Sequence, residues 1–447
     1  MMMEKASFLQ NVQRIQKAGL VLAAGTLLAN SASFVKSLLI ARYYGTSAWL
    51  DAYFISLTPM LLITGILVSA LHATLIPHVI KISKERGEAY AFSVFITFSL
   101  GTLLLVLVLT AFLGIGSRAV ASLLGKGFTA AQQEFTSSLL SISTILVILT
   151  LLNEIALCVF HIHKHFALPS LLPFLNGVLS LIYLMYFHEQ GVIALMWGLV
   201  LGLLLQTIVM LTLAFTRLFP RNTALLAWSN ADLKRGVFLM LPLLIGASFG
   251  HINLVIDQMM ASTLAPGSIA ALNYASRLHS LVNQLFIMVL STAVLPFFAK
   301  QAADNDMQGL RHTFLLTLKR IWWILLPLSV SILLGGRSAI QVIFQRGEFS
   351  EISTLSTSGA WIAYSLGLPF QATGILTARV YNALQKNTIL MYVSALSVGF
   401  NIFCNWCFMK LWGHIGIAAA TSVVYALTTA ILLSLLYKKL SAPVSQQ

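Results

Sequence analysis

Charge is scarce in this chain of 447 residues: only 9% are Asp, Glu, Lys or Arg, against about 25% in ordinary soluble domains. With 58% hydrophobic residues and a mean hydropathy of +0.88, a soluble globular protein is excluded. Acidic residues are scarcer still, 13 against 27 Lys and Arg, and no catalytic carboxylate cluster is visible among them. Cysteine is nearly absent. Cys158, Cys404 and Cys407 all lie in apolar segments, and the 404/407 pair lacks both the βαβ context of a redox motif and the second pair that zinc requires. They read as buried small hydrophobes. No glycine-rich loop ends in Gly-Lys-Ser/Thr, so ATP hydrolysis is not expected, and the alternating pattern of an outer-membrane barrel is missing. The N-terminus, MMMEKASFLQNVQRIQKAGL, offers no small-residue cleavage site behind a short apolar core. A removed signal peptide is therefore not expected.

What the chain has instead is long apolar runs. A hydrocarbon core about 30 Å thick needs roughly 20 apolar residues per helix, and in lipid the backbone must satisfy its own hydrogen bonds. The expected fold is therefore an all-α polytopic membrane protein. Breaks marked by charge, Gly or Pro give twelve spans, at 18–43, 51–79, 89–115, 137–161, 167–187, 191–216, 236–262, 268–299, 313–335, 357–381, 388–410 and 415–437. With the N-terminus inside, the outer flanks hold only five cations: Arg118, Lys126, Arg337, Arg346 and Lys410. Nineteen others fall on the inner flanks, and the positive-inside rule puts both termini in the cytoplasm. Such scattered flanking cations also account for the net charge of +14 without nucleic acid.

The two halves resemble each other. LLGKGFTAAQQEFTSS at 123 matches IFQRGEFSEISTLSTS at 343, LIPHVIK at 75 matches VLPFFAK at 294, and HEQGVIALMWG at 188 matches GHIGIAAATSV at 413. Ordered, similar shifts indicate an internal repeat. Six spans per repeat is an even number, so the halves, 1–220 and 221–447, enter the membrane in the same sense as two six-helix lobes with a substrate path between them.

Three cations, Lys36, Arg42 and Arg277, fall inside spans, as does Asp257. Charge at bilayer depth is costly and usually faces a bundle interior or a wet cavity. Thr26, Asn30, Ser33, Lys36 and Ser37 add a polar stripe to the first span. A surplus of buried cations implies an anionic substrate, because Arg offers phosphate a planar fork and Lys a compact charge. Asn401 and Asn405 share a helix face and, with Asp257 and Thr421, offer oxygens to a hard cation, although interhelical hydrogen bonding is the commoner role of such residues. The histidines of FHIHKHF, 160–166, read as a solvated inner loop, since no carboxylate or thiol stands beside them in sequence to complete a zinc site.

Three pieces carry a family resemblance: VKSLLIARYYGTSAWLDAYF, INLVIDQMMASTLAPGSIAALNYASRL and the outer-loop IFQRGEF. On them the sequence resembles the MurJ (MviN) family of lipid II flippases, within the multidrug/oligosaccharidyl-lipid/polysaccharide exporter superfamily. The resemblance implies a V-shaped pair of lobes that carries an undecaprenyl-pyrophosphate-linked sugar from the inner to the outer leaflet of the bacterial cytoplasmic membrane. It places the cavity cations on Lys36, Arg42 and Arg277, and a sodium site on Asp257, Asn401, Asn405 and Thr421. Asn405 stands there in place of a carboxylate, and Lys36 in place of the usual arginine. Gly45 and Asp51, at the outer membrane edge, read as turn or gate residues.

Two departures bear on the substrate. Ile63 and Thr64 occupy the second-helix positions where the family carries a basic pair, and two further C-terminal helices that the resemblance implies are not among the twelve spans. The expected function is flipping of a lipid II-type precursor by alternating access, without catalysis and without a cofactor beyond sodium or proton coupling. The alternatives are a flippase for another lipid-linked glycan and a cation-coupled drug exporter; the latter predicts acidic and aromatic cavity residues in place of these cations. Partners are the lipid-linked saccharide and membrane lipids, and the protein is expected to be a monomer.

Overall fold

The computed structural model describes residues 25–220 and 231–440, and among these no strand occurs. The polar N-terminal stretch, the start of the first expected span and the domain boundary at 220/221 touch or lie outside the described residues. Fourteen α-helices follow in order. They are α1 (25–44), α2 (Ala48–Arg86), α3 (Glu88–Ile115), the short α4 (Ser117–Leu124), α5 (Ala130–Ile162), α6 (Ala167–Phe187) and α7 (Ile193–Arg217). After the gap come α8 (Ala231–Ala261), α9 (Ser268–Val282), α10 (Val289–Ala303), α11 (Met307–Phe344), α12 (Glu351–Ser365), α13 (Leu368–Ala383) and α14 (Asn387–Leu440). A single π-turn, Asn283–Met288, joins α9 to α10.

Among the described residues, eight helices are long and apolar enough to cross a membrane, or nine if α9 and α10, bent by 44°, form one span. The membrane-helix reading holds, while the count of twelve is not fully reached by this measure, for identifiable reasons. The start of the first expected span lies outside the described residues, and the expected span 357–381 is broken into α12 and α13, neither long enough alone. The last two expected spans run together as α14, interrupted where Trp412 and Gly413 leave helical geometry.

Clustering of contacts divides the chain into two compact units. Of the described residues, the first holds 25–44, 56–123, 129–220 and 231–251; the second holds 45–55, 124–128 and 252–440. The first unit is built on Leu71, Leu75 and Val79 of α2 against Phe92 and Phe95 of α3 and Val147 and Leu151 of α5. Between helices in lipid the hydrophobic drive is weak, so small residues and hydrogen bonds carry the specificity. Ser180 donates to the carbonyl of Gly198 at 2.8 Å, and Gln206 to Asn153 at 3.2 Å. In the second unit Ser422 donates to the carbonyl of Ala363 at 2.6 Å, and the Trp322 indole to Thr373 at 2.9 Å.

The repeat is visible in local geometry. Pro77 and Pro296 both lie inside helices, and Thr129 and Ser350 both cap the helix that follows the Lys-Gly or Arg-Gly loop. The turn glycine equivalent to Gly191 (φ 78°, ψ −161°) is Gly413 (φ 56°, ψ −134°), three residues before the glycine that sequence matching selects.

Candidate functional site

Lys36 and Arg42 lie on α1 in the first unit. Lys36 is half-buried and Arg42 exposed. Six residues of helix turn the chain by about 600°, so the two side chains leave α1 roughly 120° apart, and Arg42 falls off the polar stripe that carries Lys36. The end of α1 is held within the same unit by the two tyrosines that follow Arg42. The Tyr43 ring stacks on His188 at 4.2 Å, and the Tyr44 hydroxyl donates to the carbonyls of Gly191 and His188 at 2.9 and 3.1 Å. In the second helix, Thr64 turns its hydroxyl back to the carbonyl of Met60 at 2.7 Å, and Ile63 packs on the first unit's core. Neither replaces the charge of a basic pair.

The chain enters the second unit at Gly45, and Asp51 is buried there, 2% exposed. Its two carboxylate oxygens accept from the backbone N–H groups of Gly267 at 2.6 Å and Ala270 at 2.7 Å. Gly267 is the N-cap of α9 and Ala270 its third residue, so Asp51 supplies from another helix both bonds of a capping box. A carboxylate at this end also faces the positive pole of the helix. Gly267 has φ 88° and lies so close to the carbonyl of Thr46 that a Cβ would overlap it. Tyr274, two turns along α9 from Gly267, donates from its hydroxyl to the carbonyl of Gly45 at 3.0 Å. The segment 45–51 is thus fixed to α9 at three points.

Arg277 lies on the same helix, ten residues beyond its N-cap Gly267. It is half-buried, and its Nε and Nη2 are shielded from solvent without a hydrogen-bond partner. Buried guanidinium donors are rarely left so, and a fork of two N–H groups matches the oxygens of a phosphate.

Asp257 of α8 and Asn401 and Asn405 of α14 are brought together. The Asn405 amide donates to Asp257 Oδ1 at 2.6 Å and to Asn401 Oδ1 at 3.2 Å, while the Asn405 carbonyl oxygen is buried without a donor. These are hard oxygen donors of the kind a small cation takes, with only one formal charge among them. Thr421 bonds back to the carbonyl of Ile417 on its own helix at 3.2 Å. Among the described residues no group of three His, Cys, Asp or Glu is placed to hold a metal.

Sequence reasoning missed a polar chain inside this unit. His279 Nε2 donates to Gln371 at 3.0 Å, Gln371 donates to the Tyr425 hydroxyl at 3.2 Å, and Tyr425 lies within electrostatic reach of Asp257. The chain links the Asp257 cluster to the helix that carries Arg277, and its members, neutral and scattered over three helices, give no pattern in sequence. The reading of 160–166 as a solvated loop needs correcting as well. His161 remains in α5 and packs on the His72 ring, His72 pairs with Glu154 at 3.1 Å, and His163 bonds to Glu88 at 3.2 Å. The carboxylates absent from the local sequence come from elsewhere in the fold.

A family model described as lipid II flippase MurJ matches residues 40–447. The chain belongs to the MurJ family. Among curated MurJ relatives, the probable lipid II flippase MurJ of Vibrio cholerae is 26% identical over 438 residues, covering 94% of this chain and 82% of its own. The lipid II flippase MurJ of Burkholderia cenocepacia is 25% identical, with 93% and 82% covered. Of solved structures, a lipid II flippase MurJ in an inward closed conformation superposes with a TM-score of 0.82 at 24% identity, over 94% of this chain and 87% of that one. A multidrug transporter of the MATE family in the MOP superfamily follows at 0.77 with 12% identity, over 94% and 98%. The exporter fold is thus shared with MurJ and MATE proteins alike, and the MurJ family match is what separates them.

Proposed function

We propose that the chain is a lipid II flippase, moving the lipid-linked peptidoglycan precursor from the inner to the outer leaflet by alternating access. The family match and the curated relatives support this reading over a flippase for another glycan. The observation that carries it is Arg277, with two buried guanidinium donors lacking partners on a helix whose end is locked by Asp51. Such a fork suits the pyrophosphate, and a cationic drug would be repelled by it. Lys36 and Arg42 add positive charge on α1, and Asp51 with Gly45 forms the outer gate. The Asp257, Asn401 and Asn405 oxygens are the place for a coupling cation. The protein acts as a transporter rather than a catalyst, as a monomer, with both termini cytoplasmic.

The test is a leaflet-accessibility assay in cells depleted of their own lipid II flippase. The chain should bring lipid II to the outer leaflet, and Arg277→Ala should abolish this at unchanged protein level in the membrane. Lipid II that stays inside with the intact chain would overturn the substrate; normal flipping by Arg277→Ala would overturn the role of the arginine.

A further inference from the structure

Along one end of the first unit, several basic residues have acidic neighbours. Lys81 pairs with Glu85 at 3.7 Å, Arg86 with Asp232 at 3.1 Å and His163 with Glu88 at 3.2 Å. Three others share a cavity of about 490 Å³ where the end of α5, the start of α6 and the end of α7 meet: Lys164, His165 and Arg217. Among the described residues no acidic residue lines that cavity and none of these three basic residues, all exposed, is ion-paired. The rest of its wall is apolar, with Phe160, Phe166 and Leu168 prominent.

Backbone hydrogen bonds fix the turn that presents Lys164 and His165. The N–H of Lys164 donates to the carbonyl of His161 at 3.0 Å and that of His165 to Phe160 at 2.8 Å, with Lys164 at φ 60°. A left-handed lysine is strained, and the hydrogen bonds of its own N–H and of the next residue's hold it there.

We propose that this cavity binds the phosphate headgroup of an acidic membrane lipid, with an acyl chain laid along Phe160, Phe166 and Leu168. Unneutralised Lys and Arg between helix ends, at the depth of the headgroups, attract anionic lipid. The guanidinium of Arg217 is suited to phosphate oxygens. The apolar wall favours a lipid over free phosphate, and the absence of a lining carboxylate disfavours a zwitterionic headgroup, whose cation would meet only like charge. The inference rests on the chain spanning a membrane with this end toward the inner leaflet, and not on which saccharide it flips. Lipid retention by the purified protein therefore reads it separately from transport.

The experiment is native mass spectrometry of the purified full-length protein with added phosphatidylglycerol, phosphatidylcholine or inorganic phosphate. Phosphatidylglycerol should be retained over phosphatidylcholine, and a Lys164→Ala/Arg217→Ala variant should bind it at least ten-fold more weakly. Lys319→Ala/Arg320→Ala, which removes the same charge from an exposed pair on α11, should bind it as the parent does. Equal retention of the two lipids, equal loss in both variants, or displacement by millimolar phosphate would overturn the proposal. Should the first variant not fold, a photoactivatable phosphatidylglycerol on the unmodified protein decides. Cross-links within 160–168 and at 217 support the site, and cross-links confined elsewhere overturn it.

Discussion

A single carboxylate, Asp51, closes the start of α9 by accepting from two backbone N–H groups. Loss of a capping side chain ordinarily costs about 1 to 2 kcal/mol, and here the helix so capped carries Arg277. Asp51→Ala should lower thermal stability in detergent by about that much. Asp51→Asn, which keeps one acceptor oxygen but turns an amide donor toward a backbone donor, should be no better than the alanine. Full stability in both would remove the capping role. At the cation cluster the Asn405 amide donates to Asp257; Asn405→Asp deletes that donor and sets two carboxylates side by side, which repel unless a cation lies between them. The variant should be less stable than its parent in choline chloride and recover in sodium chloride, with the parent showing a smaller sodium effect. Identical melting of the variant in both salts would refute the site. Asp51, Gly45, Asp257 and Asn405 were legible in sequence because charge, amide or glycine is conspicuous in an apolar span. Their partners were not: Gly267 and Ala270 act through main-chain N–H groups more than 200 residues away, and a backbone donor leaves no mark on residue type.

At the scale of the element, apolar length located the helices well and their interruptions poorly. A break in a membrane helix needs a few residues whose backbone groups are satisfied otherwise, and these need not be polar. The junction of α12 and α13 is Leu366-Gly367, and α14 is interrupted at Trp412-Gly413. Gly413 combines φ 56° with ψ −134°, a region open to glycine almost alone, yet no atom lies within 4 Å of where a Cβ would be. Gly413→Ala should therefore cost about 1 to 3 kcal/mol through conformation alone. Thermal unfolding measures it, and the exposed Gly399, with equally open space around it but inside a regular helical stretch, is the comparison: Gly399→Ala should be neutral or stabilising. An equal loss at both positions would mean that packing, and not the left-handed turn, sets the cost. The same turn corrects the repeat register, because backbone geometry matches Gly191 to Gly413 whereas residue matching alone slides to Gly416.

For the whole molecule, the charge distribution bears on what drives transport. A pyrophosphate-linked sugar moves negative charge outward, and an inside-negative membrane potential favours that movement by about 2.3 kcal/mol per elementary charge per 100 mV. The competing source, a sodium gradient, has at its candidate site one carboxylate and two amides, with the Asn405 amide already engaged by Asp257. One formal charge whose oxygen is bound to an N–H donor holds sodium less firmly than two free carboxylates would, so the potential should dominate. In cells relying on this chain for lipid II export, valinomycin in high-potassium medium should drop outer-leaflet lipid II toward background. Exchange of sodium for choline should leave most of it in place. In the Asn405→Asp variant the dependence should shift, with sodium removal now reducing export, because the added carboxylate ties the conformational cycle to the ion. Export that survives valinomycin but fails in choline in the parent chain would assign the coupling to the Asp257 cluster and overturn the potential-driven reading.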